Sequence, residues 1–357
     1  MLEEPIPLLI IKVLIGIGAV YELIKFIRGI RDRLIRGSKV LKEQPTKRDY
    51  VVGVFYSLLC ALLWSLSYVS LSYVSSKTDL LSINIALLGT GCAFLALGWA
   101  LAWLFDWGAG TSLKLNVDWK TAAPWIVVAM NLASFLLFIY ALYFISASQT
   151  ITLQKINPLF VALIVLIWLG KRPSVSTLSA VLLVILGAIL ILVNDQFGFS
   201  GGKNIVGSLI AILAGLSFAV FSVGLEKVEQ DKKPTLTQRI GFMATVFFLS
   251  YVGIVTVGYA YGSRPVFSSG VSGILLLNGL RVALVYGLYQ AAVRRIGALL
   301  TSVLVALEVP FTMLWDWRLL HNIPGTRVAL GAIAILFGAT TLVWDKLSGK
   351  KLTIETT

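Results

Sequence analysis

Three ionisable residues stand inside strongly apolar sequence: Lys155, Glu308 and Arg281. A charge at the centre of a bilayer costs about 3 kcal/mol or more, so each calls for a cavity, a partner or an ion. Lys155 lines up at helical spacing with Ser148 and Thr152, and Gln154 and Asn157 form a second polar stripe beside it. Glu308 lines up with Thr301, Thr312 and Trp315, and Arg281 follows Asn278 by three residues. An ammonium facing a carboxylate suits a zwitterion, whereas two cations together suit an anion. A carboxylate among aromatic faces suits a cationic amine. Trp64, Tyr68, Tyr140 and Tyr286 are the aromatic candidates for such a cavity, and Asn131 adds an amide. The plainer alternative is that Lys155 or Arg281 only neutralises Glu308 inside a helix bundle. For any single aromatic, a place facing lipid or in an interfacial belt competes with the cavity.

The elements that position these residues follow from hydropathy. The chain has 357 residues, 58% hydrophobic and 13% charged, where a soluble domain carries about 25% charged residues. Apolar segments recur at 50–73, 81–105, 123–146, 148–169, 175–193, 205–225, 238–260, 268–290, 296–317 and 325–344. Each is about the 20 residues that cross a hydrocarbon layer of roughly 30 Å. In lipid the backbone needs internal partners, so the expected fold is an all-α polytopic membrane protein of about ten spanning helices. Residues 1–48 are different: Glu22 to Leu41 alternates apolar residues with Lys25, Arg28, Arg31, Arg33, Arg36 and Lys39. They read as a basic amphipathic helix lying on anionic lipid, with an eleventh span over about 5–28 as the competitor. Residues 346–357 read as a tail.

The net charge of +13 points to the membrane rather than to nucleic acid, because of where it sits. Ten of the thirty Lys and Arg residues lie in the first 48 positions. Of those in loops and at segment ends, thirteen fall on the side of the N-terminus and five on the other. The positive-inside rule then places both termini in the cytoplasm, in a bacterial inner membrane or an organelle membrane.

The chain also repeats itself. Gly53 to Trp64 matches Gly207 to Phe218 at a spacing of eleven. Asn131 and Tyr140 match Asn278 and Tyr286 with a slip of one residue, and Pro158, Pro173 and Gly187 match Pro310, Pro324 and Gly338. Residues 50–194 and 205–345 are therefore read as two halves of five helices. With an odd number of crossings, the second half is inverted relative to the first. Such pairs open a shared cavity to one side of a membrane and then the other. Lys155 and Glu308 precede the paired prolines by three and two residues, so the repeat brings them towards opposite walls of one cavity. Pro158 and Pro310 lack an N–H and are expected to bend their helices. Gly89, Gly91, Gly98, Gly187 and Gly338 are expected to let helices approach closely.

With the run Asn157-Pro158-Leu159-Phe160, Leu169-Gly170, Gly187, and the second-half partners Glu308-Val309-Pro310 and Gly338, the sequence resembles the drug/metabolite transporter superfamily. Its ten-helix EamA-type branch is the specific likeness, over residues 50–345. The resemblance implies alternating-access transport of a small metabolite, with amino acids and related compounds leading, and efflux as the direction. Phosphorylated sugars or nucleotide sugars, and drugs or quaternary amines, are its alternatives. This chain departs from the family where an acidic residue after Leu-Gly is replaced by Lys171, where the second-half counterpart region reads Leu320-His321, and where Val309 separates Glu308 from Pro310. It also lacks the first-helix carboxylate of the small four-helix multidrug members, so that proton device does not carry over.

No phosphate loop, catalytic carboxylate pair, metal cluster or nucleophile elbow is legible, so neither an enzyme nor a cofactor is expected. The expected partners are a small-molecule substrate, membrane lipids and a coupling ion (a proton or a counter-substrate), the chain being a monomer or homodimer. Outside transport, the basic N-terminal segment is the one support for a membrane scaffold or sensor.

Overall fold

A computed structural model describes residues 46–75, 77–106, 115, 117–145, 147–170, 173–192, 202–232, 234–260, 265, 269–320 and 326–347. The amphipathic segment expected over residues 1–48 lies almost wholly outside the described residues, as does most of the tail. The described elements are helices: α1 Lys47–Ser75, α2 Leu80–Asp106, α3 Ala122–Ala141, α4 Ala147–Gln154, α5 Asn157–Trp168, α6 Val175–Leu192, α7 Gly202–Lys232, α8 Leu236–Ala260, α9 Ser269–Val305, α10 Glu308–Leu320 and α11 Thr326–Leu347.

Their starts follow from side-chain caps, because the first amides of a helix have no intrahelical acceptor. Thr46 accepts from the Asp49 amide at 3.1 Å while its hydroxyl donates to the Asp49 carboxylate at 2.7 Å. Asp79 accepts from the Ser82 amide at 2.9 Å ahead of α2, and Thr235 and Gln238 exchange backbone and side-chain bonds ahead of α8.

Among the described residues, seven helical stretches are long and apolar enough to cross a membrane. One of them, Gly270–Trp315, has 46 residues, enough for two passes of about 20 each. It is kinked at Gly297, whose φ of 82° lies in the left-handed region that a side chain disfavours. Val175–Leu190 and Ala329–Trp344 are shorter apolar helices. The described residues of the ten apolar segments are thus mostly helical, and the chain is a polytopic helical membrane protein. Large apolar side chains such as Phe55, Phe337 and Trp344 point outward, where lipid takes the place of a protein core.

The neighbours form a regular pattern. α1 packs along α9 and beneath α10; α3 packs along α7, which also carries α4 and α5; α2 packs on α8, and α6 on α11. Exchanging the first and second halves of the chain leaves this pattern unchanged. The matched glycines play matched parts: a Cβ on Gly53 would lie 2.6 Å from Ile296, and one on Gly207 would lie 2.6 Å from Phe144. Each half thus seats the start of its first helix against the turn that ends the other half's third helix. Gly187 and Gly338 give the second instance, since a Cβ would meet the Gly331 carbonyl at 2.5 Å or the Ala180 carbonyl at 2.9 Å. Gly89 and Gly91 sit against Tyr251 and Phe247, whereas at Gly98 the nearest atom lies at an ordinary 3.7 Å.

Candidate substrate cavity

Two helix breaks create the site. Pro158 and Pro310 cannot donate to the carbonyls four residues before them. At each break the chain resorts to three-residue bonds, Ile156 to Leu153 and Leu159 to Ile156 in the first, Leu307 to Leu304 and Val309 to Ala306 in the second. Residues 148–169 and 296–317, expected as continuous helices, are therefore each interrupted, at Lys155–Ile156 and at Ala306–Leu307. Lys155 follows the C-terminus of α4, and Glu308 opens α10. Each charge sits at the helix pole that favours it.

The two side chains form an ion pair between Lys155 Nζ and Glu308 Oε1. They are 3% and 0% exposed, so the pair is held without bulk water. Leaving either charge alone at such a depth costs about 3–5 kcal/mol. Tyr68 donates its hydroxyl to the same Oε1 at 3.0 Å, and Thr312 donates to the Glu308 carbonyl at 2.7 Å. The Lys155 ammonium lies 6.0 Å from the centre of the Trp64 ring, at the outer range of a cation–π contact. Trp64 in turn meets Phe218 edge-on at 5.3 Å and Tyr286 at 5.7 Å. Trp64 and Phe218 occupy matching positions in the two halves, so the halves touch through equivalent residues. Glu308 Oε2, Gln154 Oε1 and Asn157 Oδ1 are buried with no hydrogen-bond partner among the described residues.

A cavity of about 50 Å³ adjoins the pair, lined among others by Trp64, Tyr68, Ser134, Gln154, Lys155 and Tyr286. That is space for the centres of about three or four waters. Five of the sequence-derived candidates line it. Glu308 is bonded to two of them, Lys155 and Tyr68. The remaining candidates are bonded elsewhere. Arg281 donates to the Leu66 carbonyl at 3.3 Å, and Asn278 accepts from Ser70 at 3.1 Å. Asn131 donates to Ser250 at 3.1 Å, and Trp315 donates to Ser65 at 2.9 Å. Tyr140 packs edge-on to Phe144 at 5.1 Å in a separate apolar cluster. Arg281 is thus a bonded neighbour of α1, and the neutralising partner of Glu308 is Lys155.

Sequence reasoning passed over Ser67, Ser134, Phe138 and Phe218, all on the cavity wall. Phe218 had a legible signal, as the repeat partner of Trp64. Ser134 and Phe138 follow Asn131 on one face of α3 at helical spacing.

Residues 51–193 match the EamA-like transporter family. An uncharacterized transporter of Archaeoglobus fulgidus is 24% identical over 283 residues, spanning 78% of this chain and 93% of that protein. One solved crystal structure superposes with a TM-score of 0.65 at 14% identity, over 83% of this chain and 96% of its own, a likeness of fold. The chain is a membrane transporter whose EamA-like first half bears out the resemblance to the drug/metabolite transporter superfamily.

Proposed function

We propose that this transporter carries a small zwitterionic metabolite, an amino acid or a related compound, by alternating access between two inverted five-helix halves. The observation that carries the reading is the Lys155–Glu308 pair, drawn from near-equivalent positions of the two halves, with Lys155 lining the cavity and Tyr68, another lining residue, bonded to Glu308. A substrate ammonium replaces Lys155 at Glu308, and the substrate carboxylate takes the freed Lys155. One buried pair is then exchanged for two without exposing an unpartnered charge. The lone acceptors Gln154 Oε1 and Asn157 Oδ1 stand beside the break to take further N–H or O–H groups.

The packing suggests the moving parts: α1, α9 and α10 as one group, α3, α4, α5 and α7 as the other, with the cavity between them. The reading includes efflux across a plasma membrane, cytoplasmic termini, and a proton or counter-substrate as driving ion. A proton on Glu308 would release Lys155 as a substrate ammonium does.

The test is flux in proteoliposomes. Uptake of labelled amino acids should saturate, and Glu308→Gln and Lys155→Ala should each abolish it. Normal transport by both variants would refute the site. A second reading, export of amines, is favoured by the cation already lying over Trp64. Under it Lys155→Ala would raise affinity for a quaternary amine instead of abolishing transport. An anionic phosphorylated substrate is disfavoured, because Arg281 is bonded to Leu66 away from Lys155.

A further inference from the structure

A second set of buried charged groups lies apart from the cavity, where α7 ends. Ser222, Glu226 and Glu229 fall on one face of α7, spaced by four and three residues. Each meets α9. Tyr289 donates its hydroxyl to Ser222 at 2.6 Å, Gln290 donates to Glu229 at 2.7 Å, and the Ala298 amide donates to Glu226 at 2.8 Å. Ala298 is the first residue after the left-handed Gly297, so its amide opens a new helical run. A carboxylate there faces the positive pole of that helix. Gln230 donates to the other Glu226 oxygen at 2.6 Å. Arg239 lies 3.7 Å from Glu229 and donates from two nitrogens to the Pro234 carbonyl. Both carboxylates are nearly enclosed, at 3% and 5% exposure.

The repeat gives this seam its meaning. Ser222, Leu225, Glu226 and Glu229 match Tyr68, Leu71, Ser72 and Ser75. Tyr68 and Leu71, buried at 6% and 5% exposure, line the cavity, whereas Ser222 and Leu225 do not line it and are sealed at 0%. The hollow therefore extends from the ion pair towards the α1–α2 end, and the matching path towards the α7–α8 end is filled. The filled path is the one crossed by the three bonds. α7 belongs to one packing group and α9 to the other, so all three bonds join the groups.

We infer that Ser222, Glu226 and Glu229 form a latch that keeps the α7–α8 end of the cavity closed, and that the bond from the Ala298 amide to Glu226 breaks when that end opens. The inference rests on the reading of two helix groups that part alternately, yet its test requires no substrate. The full chain in lipid nanodiscs, with Cys60 and Cys92 replaced by alanine, receives single cysteines for labelling by a water-soluble maleimide. With the latch intact, Leu71→Cys should label and Leu225→Cys should not. Glu226→Ala should raise the labelling rate of Leu225→Cys at least about tenfold, the worth of a charge-assisted hydrogen bond, and lower that of Leu71→Cys. Glu226→Gln keeps an acceptor oxygen and should fall between the two; it decides the matter if the alanine variant is not monodisperse. Val184→Cys, buried between α6 and α11, should stay unlabelled throughout. Equal Leu225→Cys labelling with and without the Glu226 carboxylate overturns the latch, as does a parallel rise at Val184→Cys. Shifted labelling without amino-acid flux would instead refute the substrate reading alone.

Discussion

At the α7–α8 end of the bundle, carboxylates of α7 are bonded to amide groups of α9. At the α1–α2 end the matching positions are Ser72 and Ser75, and the Tyr143 hydroxyl donates to the Thr78 carbonyl at 3.2 Å. The apolar framework treats both ends alike: Gly53 and Gly207 each admit a neighbouring turn at the same closeness. What differs is the polar layer laid over that framework. On the reading of two near-equivalent helix groups, substitutions at a few positions would decide which end is sealed and by what chemistry. A charged seam in low dielectric is strong while satisfied and costly once broken.

The largest expected effect lies between the two ends. Glu308→Ala strands the Lys155 ammonium and should lower stability by about 3–5 kcal/mol, read by denaturant unfolding in detergent. The double variant Lys155→Met with Glu308→Gln should regain most of that stability without regaining flux. At the α7–α8 end, Gly297→Ala forces a Cβ into left-handed backbone and should cost about 1–2 kcal/mol by the same assay. The hydroxyl pair Tyr68 and Ser222 compares the ends directly. Tyr68→Phe and Ser222→Ala each remove one hydrogen bond, worth about 1 kcal/mol. The first should weaken substrate affinity several-fold, measured by titration calorimetry, and the second should leave affinity alone while raising labelling of Leu225→Cys. Smallest is Trp315→Phe, which loses the bond to Ser65 outside the cavity. Its flux should stay within about twofold of the parent, a change of ~0.4 kcal/mol.

The helices were legible because hydropathy is a direct record of lipid contact, and ten segments of the right length leave few alternatives. The prolines and paired glycines were legible because each forces one backbone outcome, a missing donor or a close approach. The pairing of Lys155 with Glu308 was half legible. The repeat brought them to facing walls, but whether they touch depends on side-chain reach across an axis that sequence spacing does not fix. Arg281 read as an equal candidate for the same reason, and only its bond to Leu66 separates it from the pair. Asn131 and Asn278 share a spacing that reports the repeat; Asn131 donates to Ser250 and Asn278 accepts from Ser70, while Asn131 Oδ1 has no partner among the described residues. Glu226 and Glu229 were passed over because the sixth segment was drawn only to residue 225, whereas α7 runs to Lys232. Hydropathy ends a span where charge begins. It cannot see that these charges turn inward.

The central claim is that the substrate is held by the ion pair itself. The most direct measurement is a binding titration of a zwitterionic amino acid, monitored by calorimetry, on the parent protein and on the folded Lys155→Met, Glu308→Gln double variant. Binding should saturate on the parent and be absent from the variant. Equal affinity in both would place the substrate elsewhere.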